Sequence, residues 1–336
     1  MKNSCDFYFL KKDLTVSGII RSVKELDKKA RFFSAGDIEL SFFGTVPYGS
    51  NYLYRIKTGE CFIIDRYRYS LSDKGEKLCT LVGRSLEAIL CDRVITGNEV
   101  YRGNIENSVR QLVMRYGIDC ADPIPSLVLG EAIGLDYELS FSGRGKTLSK
   151  RLYDILSPFN ATYKIRCDFE NGRLVFELYR GKDRRMNEED TDFTLLSEKK
   201  GNFAEYTYSK VHMPYNRVYV YSNGQTAVYD ISGGRDIREM YVYAQNAEKG
   251  EMSDSEFNDY LVSCGIQKLS AANKKPSFEL TFDTSAYPGY GESFEVGDLC
   301  DVKIEPVGDI IEGRLSEIYE RITASGVTLK GKFIVN

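Results

Sequence analysis

The sequence predicts an α+β fold that is mainly β, with two β-rich halves around an α+β insertion. Three observations predict it. Short apolar-alternating runs, separated by turn residues, fill both ends of the chain. Helix-period stripes with capping residues occupy the stretch from about 85 to 156. The aromatic set is 24 Tyr and 18 Phe with no Trp, and Tyr and Phe fit a pleated, half-buried surface.

In the first 84 residues the expected strands are Asp6–Leu10, Leu14–Ser22, Ile38–Phe43, Asn51–Lys57, Cys61–Tyr69 and Lys77–Val82. Ala35-Gly36-Asp37, Pro47-Tyr48-Gly49, Thr58-Gly59 and Ser72-Asp73-Lys74-Gly75 supply the turns between them. Strands of this length and spacing point to a barrel or sandwich. The period then lengthens. Ser85 is expected to cap a short helix through Leu90. Asn104 is expected to cap a helix from Ile105 to Tyr116, ended by Gly117 in the left-handed conformation. Thr147 heads a helix over Leu148–Leu156, with Pro158 just past its end. A hairpin follows, Ala161–Asp168 with Arg173–Tyr179, turned at Asn171-Gly172, where a tight turn needs positive backbone angles. Residues 181–202 are so charged that they read as a solvated linker. The second boundary therefore falls near 200, giving segments 1–84, 85–200 and 201–336.

The last segment repeats the plan of the first. Strands are expected at Ala204–Lys210, Asn216–Ser222 and Gln225–Ile231, the last two joined by an Asn223-Gly224 turn. Ser253 and Glu256 form a capping-box pattern ahead of a helix over Asp254–Ala271. Strands close the chain at Ser277–Asp283, Leu299–Glu305, Ile310–Ile322 and Val327–Ile334. On the alternating stretch before Asn223, Tyr215, Tyr219 and Tyr221 fall on one face and are candidates for a subunit interface.

Composition excludes several classes. With 45 Lys and Arg against 49 Asp and Glu, the net charge of -4 argues against a grip on nucleic-acid phosphates, and no sequence-specific nucleic-acid binding is expected. No run of about 18 apolar residues is present, so no membrane-spanning helix is expected. The N-terminal apolar stretch is broken by Lys11, Lys12 and Asp13, so no signal peptide is read. The eight cysteines (Cys5, Cys61, Cys79, Cys91, Cys120, Cys167, Cys264 and Cys300) include no CxxC pair and read as small buried hydrophobes.

Candidate chemistry reduces to four features. His212 is the one histidine and has no nucleophile elbow beside it, so it reads as structural or surface. Gly143-Arg144-Gly145-Lys146-Thr147 resembles part of a phosphate loop, but the glycine required five positions before Gly145 is Ser140, and a glycine-rich helix entry fits better. Glu188-Glu189-Asp190 with Asp192 lacks the alternation and central glycine of a calcium loop. Carboxylate pairs for glycoside hydrolysis are inevitable among 49 acidic residues, and no motif selects one. No catalytic residue, cofactor or metal is assigned.

One resemblance unites these segments. Leu81 to Ile95, LVGRSLEAILCDRVI, is a strand, a glycine and a Leu-rich turn of helix ending in Arg and an apolar pair. Tyr101-Arg102-Gly103-Asn104 and the helix with Val109-Arg110-Gln111-Leu112-Val113 come next. Ala30 to Leu40 precedes them, and Glu295 to Val302 with Arg314-Leu315-Ser316-Glu317-Ile318 follows. In this order the pieces resemble the phage tail and baseplate hub proteins of siphophages, shared with contractile tails and tailocins. The resemblance covers nearly the whole chain. It implies two tail-tube-like β-barrel domains with the α+β insertion between them. It also implies a homotrimer that joins a six-fold tail tube or distal tail protein to a three-fold spike, tip or fibre, among other baseplate proteins. The expected place is the tail tip of a particle assembled in the producing bacterium's cytoplasm, with no cofactor and no enzyme activity. Longer hub proteins carry an extension after the closing strands, and none is expected here, so no fused lysozyme or receptor-binding domain is either. Two other classes stay open: a tail-associated cell-wall or carbohydrate-degrading enzyme, which would clear cell walls in a zymogram, and a glycan-binding module, which would bind as a monomer.

Overall fold

Strands dominate the computed structural model, which describes residues 6–71, 75–97, 99–143, 145–186, 193–212, 214–234, 236–244, 249–250, 252–273, 276–286 and 289–335. The chain forms two compact units: Met1–Tyr206 with Glu279–Phe333, and Thr207–Phe278 with Ile334–Asn336. Cys5, the Ser72-Asp73-Lys74 turn, Arg144 and the acidic run Glu188–Asp190 with Asp192 lie outside the described residues.

The strands in chain order are β1 Phe7–Leu10, β2 Val16–Ile20, β3 Val23–Arg31, β4 Asp37–Phe43, β5 Tyr52–Arg55, β6 Cys61–Leu71 and β7 Lys77–Ser85. The middle of the chain adds β8 Glu99–Asn104, helix α1 Ile105–Val113, β9 Leu127–Leu129, β10 Glu138–Gly143, helix α2 Leu148–Leu156, β11 Thr162–Asp168, β12 Arg173–Tyr179, β13 Asp183–Arg184 and β14 Leu195–Ser197. The last part holds β15 Phe203–Ser209, β16 Arg217–Ser222, β17 Gln225–Asp230, β18 Glu239–Tyr243, helix α3 Asp254–Ala272, β19 Ser277–Phe282, β20 Leu299–Lys303, β21 Ile310–Thr323 and β22 Gly326–Val335.

The large sheet runs β15-β19-β22-β21-β3-β4-β7-β6-β5-β1-β2, with β20 beside β21 and β13 and β14 beside β20. Chain-distant strands meet at its centre: β3 pairs antiparallel with β21, Ile318 opposite Ala30 and Ile322 opposite Leu26. Its alternation buries Phe7, Phe9, Leu26, Ile38, Leu40, Phe42, Leu53, Phe62 and Leu81 in one cluster. The path of pairings is open, and no pairing among the described residues joins its two ends. A second cluster gathers α1, α2, β11 and β12 around Val109, Leu112, Leu152, Tyr163 and Phe176, and takes in Leu10, Tyr52 and Cys61 from the sheet.

Local signals read from the sequence hold where the backbone alone decides. Asn104 accepts from the Asn107 N–H and caps α1, and Thr147 accepts from Lys150 and caps α2. Ser253 and Glu256 complete the capping box of α3. Four expectations fail, each for a tertiary reason. Leu86–Asp92 is a 3-10 turn, and the Ser85 hydroxyl accepts from the Gly36 N–H instead of capping it. Gly117 does not take a left-handed conformation. It sits inside a π turn, Met114–Ile118, packed against Leu127 and Ile124. The supposed linker 181–202 is only partly solvated, because β13 and β14 join the sheet and bury Arg184, Thr194, Leu196 and Ser197. Strands β3 and β18 were not expected where they stand; β3 lies between its neighbour β4 and the chain-distant β21, and β18 pairs with β16 across the intervening β17 segment of the chain.

Gly83, in the middle of the motif around Leu81–Ile95, has a packing reason. It faces β6 where that strand bulges between Ile64 and Arg66. A Cβ at Gly83 would lie 2.3 Å from the Ile63 carbonyl oxygen and 3.2 Å from the Ile38 Cγ2. Gly83→Ala is expected to destabilise the protein by about 2 kcal/mol, because the obstacle is backbone and cannot rotate away. Thermal unfolding checks this; a melting temperature equal to wild type would contradict it.

Candidate functional site

The interface candidates Tyr219 and Tyr221 lie in β16, the central strand of a three-stranded sheet ordered β17-β16-β18. Tyr219 stands opposite Val228 of β17 and Tyr241 of β18, and Tyr221 opposite Thr226 and Tyr243. Because side chains alternate, Val218 and Val220 point the other way, onto α3, where they form a core with Ala227, Phe257, Leu261 and Leu269. Gly265 makes this approach close: a Cβ there would sit 2.9 Å from Val220.

The face opposite α3 is aromatic and open. Tyr241 is 64% and Tyr243 57% exposed, and Val228 beside them is also exposed. Tyr221 and Tyr243 stack at 5.7 Å between ring centroids, 19° from parallel. At one end the face turns polar. Arg217 donates to Asp230 at 2.6 and 2.8 Å and to Glu239 at 2.8 Å, and the Tyr219 hydroxyl donates to Glu239 at 3.1 Å. Hydrogen bonds from Ser232, then from Arg217, hold the Asp230 carboxyl down at about 2, so Arg217 stays paired throughout the neutral range. The face thus has an exposed aromatic centre and paired polar groups at one end.

Tyr215 stands apart from its two companions, ahead of β16. It is tied to the end of α3, where its N–H donates to Asn273 at 2.7 Å and Asn273 donates back to its carbonyl. The sequence reading missed Tyr241 and Tyr243. Their own alternation, Glu-Met-Tyr-Val-Tyr, was the available signal, but only the parallel pairing with β16 sets them beside Tyr219 and Tyr221. A second exposed aromatic group, also missed, lies on the outer half of β6: Tyr67 and Tyr69, 5.4 Å apart, with Leu71.

The features weighed for chemistry stay separate. His212 is exposed ahead of β16. Gly145 turns the chain into α2 with a φ of 72°. Among the described residues no group of three or more His, Cys, Asp and Glu side chains is arranged to hold a metal ion. Among the described residues no helix is long and apolar enough to cross a membrane.

Comparison with known proteins agrees with the resemblance in the sequence. The 43 kDa tail protein of prophage MuSo2 from Shewanella oneidensis is similar in structure, with a TM-score of 0.61 over 98% of both chains at 13% identity. A tail protein from Neisseria meningitidis MC58 is similar over 94% of this chain and 93% of that one, at 14% identity and a TM-score of 0.59. An E. coli component of the type VI secretion system, described as structurally similar to the bacteriophage T4 tail proteins gp27 and gp5, matches with a TM-score of 0.50 and 9% identity over 94% of this chain and 74% of that one. At such identities these likenesses show the fold, which is that of phage tail proteins. Comparison with curated protein sequences gives no match. The family model described as Siphovirus ReqiPepy6 Gp37-like protein matches residues 10–332, nearly the whole sequence, and the chain belongs to that family.

Proposed function

We propose that this chain is the structural baseplate hub subunit of a phage tail or tail-like particle. Three copies form a ring that joins the six-fold tail tube, or a distal tail protein, to a three-fold spike, tip or fibre, and lines part of the central channel. The reading is carried by the tail-protein fold running the length of the chain. The open sheet supports it. Strands β2 and β15 end the path of pairings, and an unpaired edge is a liability that a ring of copies removes by pairing strands between subunits. The two tube-like barrels, drawn from 1–84 and 201–336 around the insertion 85–200, belong to the same proposal.

The tyrosine face of β16 and β18 supplies a contact surface. Tyr215, Tyr219 and Tyr221, extended by Tyr241 and Tyr243, bind a neighbouring subunit or baseplate protein. The role is mechanical and uses no catalytic residue: contacts at the tail tip pass the state of spike or fibres to the tube. The subunit is made in the producing bacterium's cytoplasm and reaches the tail tip by assembly.

Mass measurement in solution tests this. The chain mixed with its tube and spike proteins is expected to form three-fold assemblies, and a chain that stays monomeric in that mixture overturns the proposal. The double substitution of Tyr241→Ala and Tyr243→Ala is expected to weaken assembly about 10-fold or more without unfolding the sheet, since both rings are exposed. Cell-wall clearing in a zymogram, lost on neutralising one carboxylate, would replace a structural role with an enzymatic one.

A further inference from the structure

The two exposed aromatic groups differ in charge. On the face of β16 and β18 the side chains form a grid. Arg217, Tyr219 and Tyr221 stand opposite Asp230, Val228 and Thr226 of β17 on one side. On the other they stand opposite Glu239, Tyr241 and Tyr243 of β18. Four tyrosines thus make a square, and the row beside them sets one guanidinium against two carboxylates, which leaves negative charge in excess. The outer half of β6 is the counterpart. Asp65 to Leu71 are all exposed. Tyr67 and Tyr69 stand opposite the buried Leu81 and Cys79, so they carry the core-facing side of the sheet out into solvent. The Tyr69 hydroxyl accepts from the Val46 N–H at 3.0 Å, which holds that ring in place. Arg66 and Arg68 alternate with the tyrosines, while Asp65 is already taken by Arg84 at 2.7 and 2.8 Å. This stretch therefore has positive charge in excess. β5 pairs with β6 only at Cys61, Phe62 and Ile63. Beyond Ile63 no described strand covers that edge, and the long arginine stems can reach round it.

We propose that these two surfaces bind each other between copies of the chain, the tyrosine square of one copy receiving the outer half of β6 from the next. The pairing rests on the ring of three copies proposed above and names the contact that builds it. Opposite charges face each other, arginines on one surface and a carboxylate excess on the other, which speeds encounter and fixes register. Tyrosine and arginine are the residue types enriched where protein interfaces are buried. The rings are already held by their neighbours, Tyr221 on Tyr243 at 5.7 Å and Tyr67 against Tyr69 at 5.4 Å, so docking costs little side-chain freedom. Because the two surfaces differ, the contact is heterologous. Each copy gives its β6 and takes its neighbour's, and a rotation that closes uses every surface once. Contact of either surface with itself would set like charge against like, which disfavours a two-fold dimer.

The test mixes two full-length variants, Tyr67→Cys and Tyr241→Cys, with the tube and spike proteins. Both positions are exposed, so neither change disturbs a core. A short bis-maleimide followed by peptide mapping reports which introduced thiols meet. The mixture is expected to yield a peptide linking position 67 of one copy to position 241 of another. Either variant alone is expected to yield no link between its own introduced thiols. A three-fold assembly without the 67–241 link overturns the pairing and leaves the ring standing. A 241–241 link also overturns it, because the tyrosine face would then meet its own copy. A chain that stays monomeric overturns ring and pairing together. Charge supplies an independent check. Arg66→Glu with Arg68→Glu, added to the Tyr67→Cys chain, is expected to cut the yield of the 67–241 link about 10-fold. An unchanged yield overturns the pairing.

Discussion

Asp298→Ala is expected to destabilise the protein by about 3–5 kcal/mol, the cost of removing one member of a buried, hydrogen-bonded ion pair. Asp298 is 1% exposed and Arg184 is 8% exposed. One carboxylate oxygen accepts from the Lys182 N–H at 2.7 Å. The other accepts from the Glu295 N–H at 3.0 Å and from Arg184 Nε at 3.1 Å. The residue therefore joins the Gly297-Asp298 turn to the start of β13, and its own carbonyl accepts from Leu315 of β21 at 2.9 Å. Alanine would take away the acceptor of two backbone N–H groups and of the Arg184 Nε at a buried site. Urea unfolding followed by tyrosine fluorescence should show a lower midpoint with an unchanged slope. A loss under about 1 kcal/mol would mean that water replaces the carboxylate, contrary to the burial of the site. The Gly-Asp pair before a strand, which in sequence is a common turn, is here a structural lock.

The second large effect is acid sensitivity centred on Glu320. Its two oxygens accept from Arg55 at 2.8 Å each, and Lys28 lies 3.0 Å away. Lys28 also donates to Glu60 at 2.7 and 2.9 Å. Both cations are nearly fully buried, with Lys28 at 4% and Arg55 at 7% exposure. Burial alone would push the Glu320 carboxyl up, but hydrogen bonds and charge from Arg55 and Lys28 outweigh it and bring the group from 4.5 to about 2. Glu60 is lowered as well: burial opposes the shift and Lys28 outweighs it. The native state thus holds fewer protons than the unfolded chain between these values. The stabilisation is complete above pH ~4.5 and is lost as pH falls toward ~2. For Glu320 it amounts to about 3 kcal/mol. Glu320→Gln should therefore be less stable than wild type by about that amount at pH 7, and the two should converge near pH 2. Unfolding free energies measured across pH 2–7 check this; a constant gap would show that the loss comes from packing and not from charge.

What the sequence determined by itself is what short stretches of chain decide. Asn104, Thr147 and Ser253 cap helices because a side chain reaches the N–H three residues on, whatever surrounds it. Asn223 and Gly224 turn a hairpin because both adopt positive φ, 48° and 78°. The order of motifs around Gly36, Gly83 and Gly297 was enough to point to the phage tail family. Tertiary structure alone decided which strands meet. Nothing local says that β3 lies against β21, or that β13 and β14 leave a charged stretch to join β20. Pairing between distant strands depends on both partners at once, so alternation in one of them shows a strand but not its neighbour. For the same reason Tyr219 and Tyr221 were legible as one face of a strand. The aromatic surface that includes Tyr241 and Tyr243 exists only because β18 returns parallel to β16.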